Sequence, residues 1–180
     1  MEALTLSQNI TLACPAKSDG PAVHSLISRC PPLDENSLYC NLLQCTHFAG
    51  TSVIAKRDDK VVGFISGYLT GDDDQTLFIW QVAVDKTARG EGLAKKMLRH
   101  ILSRPTCAKV RHLHTTITPD NDASWGLFRS FAKEVGASIS SEPFFDQNRH
   151  FNGAHETENL VDIGPFDPVN LTETGVLNAG

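Results

Sequence analysis

Between residues 89 and 94 the chain reads Arg-Gly-Glu-Gly-Leu-Ala, residue types that suit the binding of a diphosphate. An apolar strand over 77–84 ends just before this run, and a helix opens directly after it. Leu93, Met97, Leu98, Ile101 and Leu102 recur at helical spacing along one face. The first turn of such a helix carries backbone N–H groups without intrahelical partners. Gly90 and Gly92 keep side chains out of the way, so a phosphate can rest directly on those donors. Arg89, Lys95 and Lys96 bring positive charge to the same end. Neither the GxxxxGK[ST] nor the GxGxxG spacing is present, so the two common glycine-rich nucleotide loops are excluded.

The elements that must position this cradle follow from pattern, in the order β-α-α-β-β-β-α-β-α-β-β. Ile10-Thr11-Leu12 opens an edge strand, and Ser18 or Asp19 is placed to cap a helix with Pro21 in its first turn. That helix ends before Pro31-Pro32, and a second begins after Asp34. Strands at 51–57 and 60–69 meet across Asp58-Asp59, a hairpin signal. The strand at 77–84 is apolar on both faces and therefore central, preceded by a solvated acidic loop at 72–74. A strand at 110–117, a helix at 121–135 and strands at 138–145 and 160–163 complete the sheet. The polar, Gly- and Pro-bearing stretch that follows is expected to be poorly ordered.

Composition narrows the function classes. With 180 residues and 41% hydrophobic content, the chain can bury one substantial core. A net charge of −5 argues against nucleic acid as a partner. No stretch is long or apolar enough to span a bilayer, and residues 1–8 lack the features of a secretory signal. A cytoplasmic setting is the expectation. The five cysteines, at 14, 30, 40, 45 and 107, form no C-x-x-C pair and read as reduced, buried residues. His112 and His114 share one strand face, but without a nearby Cys or acid no zinc site is expected.

The strand at 77–84 followed by Arg89-x-x-Gly92-x-Ala94 resembles the coenzyme A signature of the GNAT acetyltransferase superfamily. That resemblance implies an α+β GNAT fold: a single domain over 1–166 with a mixed central sheet flanked by helices, then a tail over 167–180. It implies acetyl-CoA as co-substrate, held by Val82, Val84, Arg89, Gly90, Gly92, Leu93, Ala94 and Asn121, and no metal. In many members an Asn opens the last helix and a Tyr after a Leu protonates the departing thiolate. Here Asn121 and Leu127 match, but Phe128 stands at the Tyr place and has no proton to give. A plain helix-capping role accounts for Asn121 equally well.

A narrower resemblance lies outside the cofactor motif. Cys30-Pro31-Pro32-Leu33-Asp34-Glu35-Asn36-Ser37-Leu38-Tyr39, the run 42–48, Phe78-Ile79-Trp80-Gln81-Val82-Ala83-Val84, Thr115-Thr116-Ile117-Thr118-Pro119 and His155-Glu156-Thr157-Glu158 are similar to blocks of L-2,4-diaminobutyrate acetyltransferases. Such enzymes acetylate the γ-amine of L-2,4-diaminobutyrate, giving the precursor that a cyclase converts to the osmolyte ectoine. The substrate carries two ammonium groups and one carboxylate, so acids and donors must line its pocket. Asp34, Tyr39, Trp80, His155 and Glu158 are the substrate-binding candidates; Glu158, His155, Tyr39 and the Val82 backbone N–H are the catalytic ones. Each has a structural alternative: a helix cap for Asp34, core packing for Tyr39 and Trp80, solvated surface for His155 and Glu158. The expected route is direct attack in a ternary complex, with Cys40 leaving a ping-pong route open. A homodimer is compatible with the sequence. Two other readings stay open: a GNAT enzyme for another small amine, and a non-catalytic acyl-CoA-binding module.

Overall fold

The computed structural model describes residues 10–71 and 74–168. Asp72 and Asp73 of the acidic loop and residues 169–180 of the expected tail lie outside that range. The eleven main elements are β1 (Ile10–Ala13), α1 (Gly20–Ser28), α2 (Leu38–Gln44), β2 (Val53–Arg57), β3 (Lys60–Thr70), β4 (Thr76–Val84), α3 (Leu93–Leu102), β5 (His112–Ile117), α4 (Asp122–Val135), β6 (Ser138–Phe145) and β7 (Glu158–Gly164). Their order is the expected one. The strands form a single sheet in the order β1-β2-β3-β4-β5-β7-β6, with β4 at its centre. The β4–β5 pair is parallel and every other pair antiparallel.

Local chemistry moves several boundaries. A 3-10 turn at Ala49–Thr51 delays β2 to Val53. Neither Ser18 nor Asp19 caps α1: no side chain does so, and the Asp19 carboxylate instead accepts from the Ala16 N–H at 2.8 Å and Lys56 Nζ at 2.8 Å. Helix α2 starts only at Leu38, because Ser37 is its cap and accepts from the Cys40 N–H at 3.1 Å. Asp34 is therefore free of any capping duty. Asp58 and Asp59 take positive φ values of 49° and 63°, as a tight hairpin between β2 and β3 requires.

Two cores sandwich the sheet. On one face Leu93, Met97, Leu98, Ile101 and Leu102 of α3 and Phe128, Phe131 and Ala132 of α4 pack with Leu77, Ile79, Leu113 and Ile117. On the other, Val23, Leu26 and Ile27 of α1 pack with Ile54, Phe64 and Ala83. Each fully buried aliphatic or aromatic side chain contributes about 1.5–3 kcal/mol. Phe166, near the end of the described chain, is buried and packs edge-to-face on Phe131, so order extends beyond Gly164.

Strand β4 changes face partway along. Ser66 pairs with Gln81 but Gly67 with Ile79, which leaves Trp80 as an extra residue on β4. Before this bulge Leu77 and Ile79 face α3 and α4; after it Ala83 faces α1. Trp80 meets Tyr68 edge-on at 6.4 Å, on the same side as the hydrogen bonds of Gln81 to the α1–α2 loop. Pairing of β4 with β5 stops at Ile79 and Thr115, so the two strands part there.

Candidate active site

A cleft of about 760 Å³ opens where β4 and β5 separate, within the range of small-ligand sites. Ile79, Trp80, Gln81 and Val82 form its β4 wall, and Thr115, Thr116 and Thr118 its β5 side. Asn121 and Phe128 close the α4 end. The α1–α2 loop contributes Asp34 and Asn36, and the β6–β7 loop brings His155 and Glu156, with Glu158 at the start of β7. No Lys or Arg lines this space, whereas Asp34, Asp120, Asp122, Glu156 and Glu158 do. The field there favours a cationic guest.

The acids and the histidine interact. His155 Nδ1 is 2.9 Å from the Glu156 carbonyl and donates to it, which leaves Nε2 facing Asp34 at 3.7 Å. That carbonyl, with the charges of Asp34 and Glu158, holds the imidazole above its ordinary pKa. Burial pushes the Glu158 carboxyl up, against a hydrogen bond from Thr116 and the nearby His155. The imidazole and the carboxyl are the two groups of the cleft whose chemistry suits proton transfer. The Asp34 side chain is 83% exposed, so any ion pair it makes without a guest is weak.

The glycine-bearing turn before α3 follows the end of β4. Gly90 and Gly92 have φ of 80° and 70°, a region that disfavours other residues, and a Cβ on either would meet nothing within 4 Å. Gly92 is the N-cap of α3 and supplies no side chain to it. The N–H groups of Leu93, Ala94 and Lys95 stand in the first turn of α3, where no intrahelical carbonyl is available to them. Arg57 fixes the approach to this turn, donating to both Glu91 carboxylate oxygens at 2.8 and 2.7 Å and to the Thr87 carbonyl at 3.1 Å. Arg89 Nε donates to the Val84 carbonyl at 3.1 Å, which ties the exposed guanidinium to the strand end.

Six sequence-derived candidates, Asp34, Trp80, Val82, Asn121, His155 and Glu158, meet in the cleft. Val84, Arg89, Gly90, Gly92, Leu93 and Ala94 lie together at the end of β4, in the turn after it and at the start of α3, where the Leu93 side chain is buried in the core. Tyr39 is 69% exposed in the first turn of α2 and lies outside the cleft lining, so it is not core. Trp80 is 45% exposed: it stands at the bulge, beside Tyr68, and lines the cleft instead of packing in either core. Asn121 caps α4, accepting from the Ser124 N–H at 3.1 Å, while also lining the cleft. Sequence reasoning passed over Asn36, Gln81 and Thr116, and a glutamine inside an apolar central strand was the available signal. It also missed the acid beside the paired histidines: Asp162 on β7 lies 2.9 Å from His112 and 3.3 Å from His114. Both imidazoles converge on that carboxylate itself, and no group of His, Cys, Asp or Glu among the described residues could hold a metal ion. The cysteines are unpaired. Burial raises the Cys40 thiol pKa, which works against a nucleophilic role.

A parted parallel strand pair, with a glycine-lined helix start at one side and an acidic cleft between, is the architecture of a GNAT-type acetyltransferase. The Acetyltransferase (GNAT) family model matches residues 21–132. The L-2,4-diaminobutyric acid acetyltransferase of Methylotuvimicrobium alcaliphilum is 54% identical over 160 residues, 89% of this chain and 93% of that protein. That of Chromohalobacter salexigens is 46% identical over 158 residues, 87% and 82% of the two chains. The solved diaminobutyrate acetyltransferase of Paenibacillus lautus, in complex with L-2,4-diaminobutyric acid and coenzyme A, is similar with a TM-score of 0.84 and 36% identity. It covers 89% of this chain and 97% of that one. The chain belongs to the L-2,4-diaminobutyric acid acetyltransferase family of GNAT enzymes.

Proposed function

We propose that the protein transfers the acetyl group of acetyl-CoA to the γ-amine of L-2,4-diaminobutyrate, by direct attack in a ternary complex. The observation that carries this reading is the acidic, Lys- and Arg-free cleft beside the open N-terminus of α3. A doubly ammonium-bearing amino acid fits the first, and the diphosphate of coenzyme A fits the second.

Cofactor binding would use the backbone donors of Gly92 to Lys95 with Arg89 and Asn121 beside them, leaving the thioester along the unpaired edge of β4. There the Val82 N–H is the donor for the carbonyl oxygen and for the oxyanion that forms on attack. The γ-ammonium, with an ordinary pKa of about 10, must first lose a proton. His155 Nε2 or the Glu158 carboxylate takes it, directly or through water. Asp34 and Trp80, which line the cleft, hold the remainder of the substrate, and this positioning supplies much of the rate. Phe128 gives no proton, so coenzyme A leaves as a thiolate, tolerable for a thiol of pKa about 8.5, and the second ammonium proton, lost as the amide forms, passes to that thiolate or to water. The product is Nγ-acetyl-2,4-diaminobutyrate, the ectoine precursor.

No helix among the described residues is long and apolar enough to cross a membrane, and the reading places the enzyme in the cytoplasm. A homodimer is part of the same proposal. Its support is β6, an edge strand exposed at seven of its eight positions, with Phe144 and Phe145 at 44% and 41% exposure. Such an edge invites a second chain. Thiol release from acetyl-CoA in the presence of 2,4-diaminobutyrate, ornithine, spermidine and a peptide N-terminus tests the reading. Preferred turnover of 2,4-diaminobutyrate supports it; preference for another amine, or binding without turnover, overturns it.

A further inference from the structure

The α1–α2 loop is anchored unevenly. Its first half is held by the buried Cys30, whose Sγ donates to the Val84 carbonyl at 3.5 Å, and by Leu33, which packs on the α1 core. The second half, Asp34 to Asn36, reaches the sheet through one side chain. Gln81 Nε2 donates to the Asp34 carbonyl at 2.9 Å, and Gln81 Oε1 accepts from Asn36 Nδ2 at 3.1 Å. The Asp34 carbonyl can only accept, so the amide nitrogen must face it and the oxygen must face Asn36. Both ends of the amide are committed, and Gln81 is 8% exposed.

Gln81 occupies this place because of the bulge at Trp80. Without the extra residue, strand alternation would turn position 81 toward the α3–α4 core, as it does Ile79. Gln81 thus lies between Trp80 and Val82 on the strand while gripping the segment that carries Asp34. The distance from that acid to the unpaired edge of β4 is set by one rigid amide.

We infer that Gln81 is a positioning residue that sets the length of diamino acid the cleft reads, by fixing Asp34 and Asn36 against β4. This rests on the acetyl-transfer reading above. A substrate one methylene shorter or longer would present its terminal amine off the line to the thioester. In a fitted site one methylene is worth about 10–200-fold. A loosened loop lets the acid follow the substrate, and the discrimination shrinks.

The test uses the full-length enzyme and two near-isosteric variants, Gln81→Met and Gln81→Glu. Methionine keeps the volume and loses both hydrogen bonds. The carboxyl introduced by Gln81→Glu donates to the Asp34 carbonyl and accepts from Asn36 when protonated, and loses the donor when ionised. Gln81→Met is expected to raise KM for 2,4-diaminobutyrate about tenfold at every pH, with KM for acetyl-CoA within about twofold. The kcat/KM preference over ornithine and 2,3-diaminopropionate should fall by about the same factor. Gln81→Glu should approach wild-type KM at low pH and resemble Gln81→Met at high pH. Asp34, His155 and Glu158 face the cleft in all three proteins, so the ratio to wild type at each pH isolates the introduced group.

Equal losses for all three amino acids, or a KM ratio for Gln81→Glu that does not change with pH, overturn the inference. Those results mark Gln81 as merely structural. Failure of the wild-type enzyme to acetylate any of the three refutes the acetyl-transfer reading instead, and the two failures are distinct.

Discussion

The cradle can be tested against a control that the fold itself provides. Gly92 at the start of α3 has φ of 70°, and Gly136 at the end of α4 has φ of 66°; a Cβ at either would meet nothing within 4 Å. Valine at either position therefore meets the same obstacle, a left-handed backbone that a β-branched residue resists by about 1–2 kcal/mol. For a chain of this size that lowers Tm by about 2–8 °C. The two sites differ in what lies beyond. Gly92 fronts the N–H groups that would meet the diphosphate, whereas Gly136 lies at the far end of the 14-residue helix α4, about 21 Å from the end that lines the cleft.

Charge-assisted hydrogen bonds of the kind lost in Gly92→Val are worth about 1.5–3 kcal/mol, or about 10- to 150-fold in affinity. Both variants should show matched losses in Tm by differential scanning fluorimetry. Only Gly92→Val should raise the acetyl-CoA dissociation constant measured by titration calorimetry. Equal acetyl-CoA affinity in the two variants, at matched Tm, refutes the assignment of the cradle.

Other outcomes follow from burial and charge. Glu158→Gln should raise KM for 2,4-diaminobutyrate by about 2 kcal/mol or more, about thirtyfold, because a partly desolvated carboxylate loses its ammonium partner. Burial raises the Glu158 pKa, so its ionised form opposes folding and the variant should hold or gain Tm above pH 5. Asp34→Asn should raise KM for 2,4-diaminobutyrate by about tenfold or more, since the carboxylate is held toward the substrate ammonium, and leave Tm unchanged, since Ser37 caps α2 and the guest-free side chain is 83% exposed. With the His155 pKa raised, kcat/KM should climb as pH passes above the ordinary imidazole range, and His155→Gln should remove that limb from the pH–rate profile. Phe128→Leu should lower Tm through lost packing, since Phe128 is 2% exposed, and leave the shape of the pH profile unchanged.

The features readable in the sequence were local ones. The face of α3 is a matter of spacing, and the side-chain-free turn at Gly90 and Gly92 is a matter of residue type; both are legible without coordinates. So were the order of the elements and the central place of β4, because hydrophobic period and turn chemistry act over a few residues. Contacts between distant segments were not. Nothing near Asp34 in the chain announces His155, 121 positions later, and nothing near His112 announces Asp162. The start of α2 falls later than the expected place after Asp34 because Asp34 and Ser37 are both good capping residues, and propensity alone does not choose between them.

The bulge in β4 is the sharpest case. Strict alternation along 77–84 would send Trp80 to one face and Gln81 to the other, with Gln81 among the apolar residues around Ile79. The pairing of Ser66 with Gln81 and of Gly67 with Ile79 reverses the second half of the strand. Trp80 becomes a cleft wall, Gln81 finds two partners, and Ala83 reaches the α1 core. A buried glutamine that alternation leaves without partners is a costly assignment, since an unsatisfied amide costs about 1–3 kcal/mol. Its presence in an apolar strand is thus a physical argument for an irregularity at that point. The irregularity falls directly after Ile79, where pairing with β5 stops, so the grip on the α1–α2 loop and the open edge of β4 lie side by side.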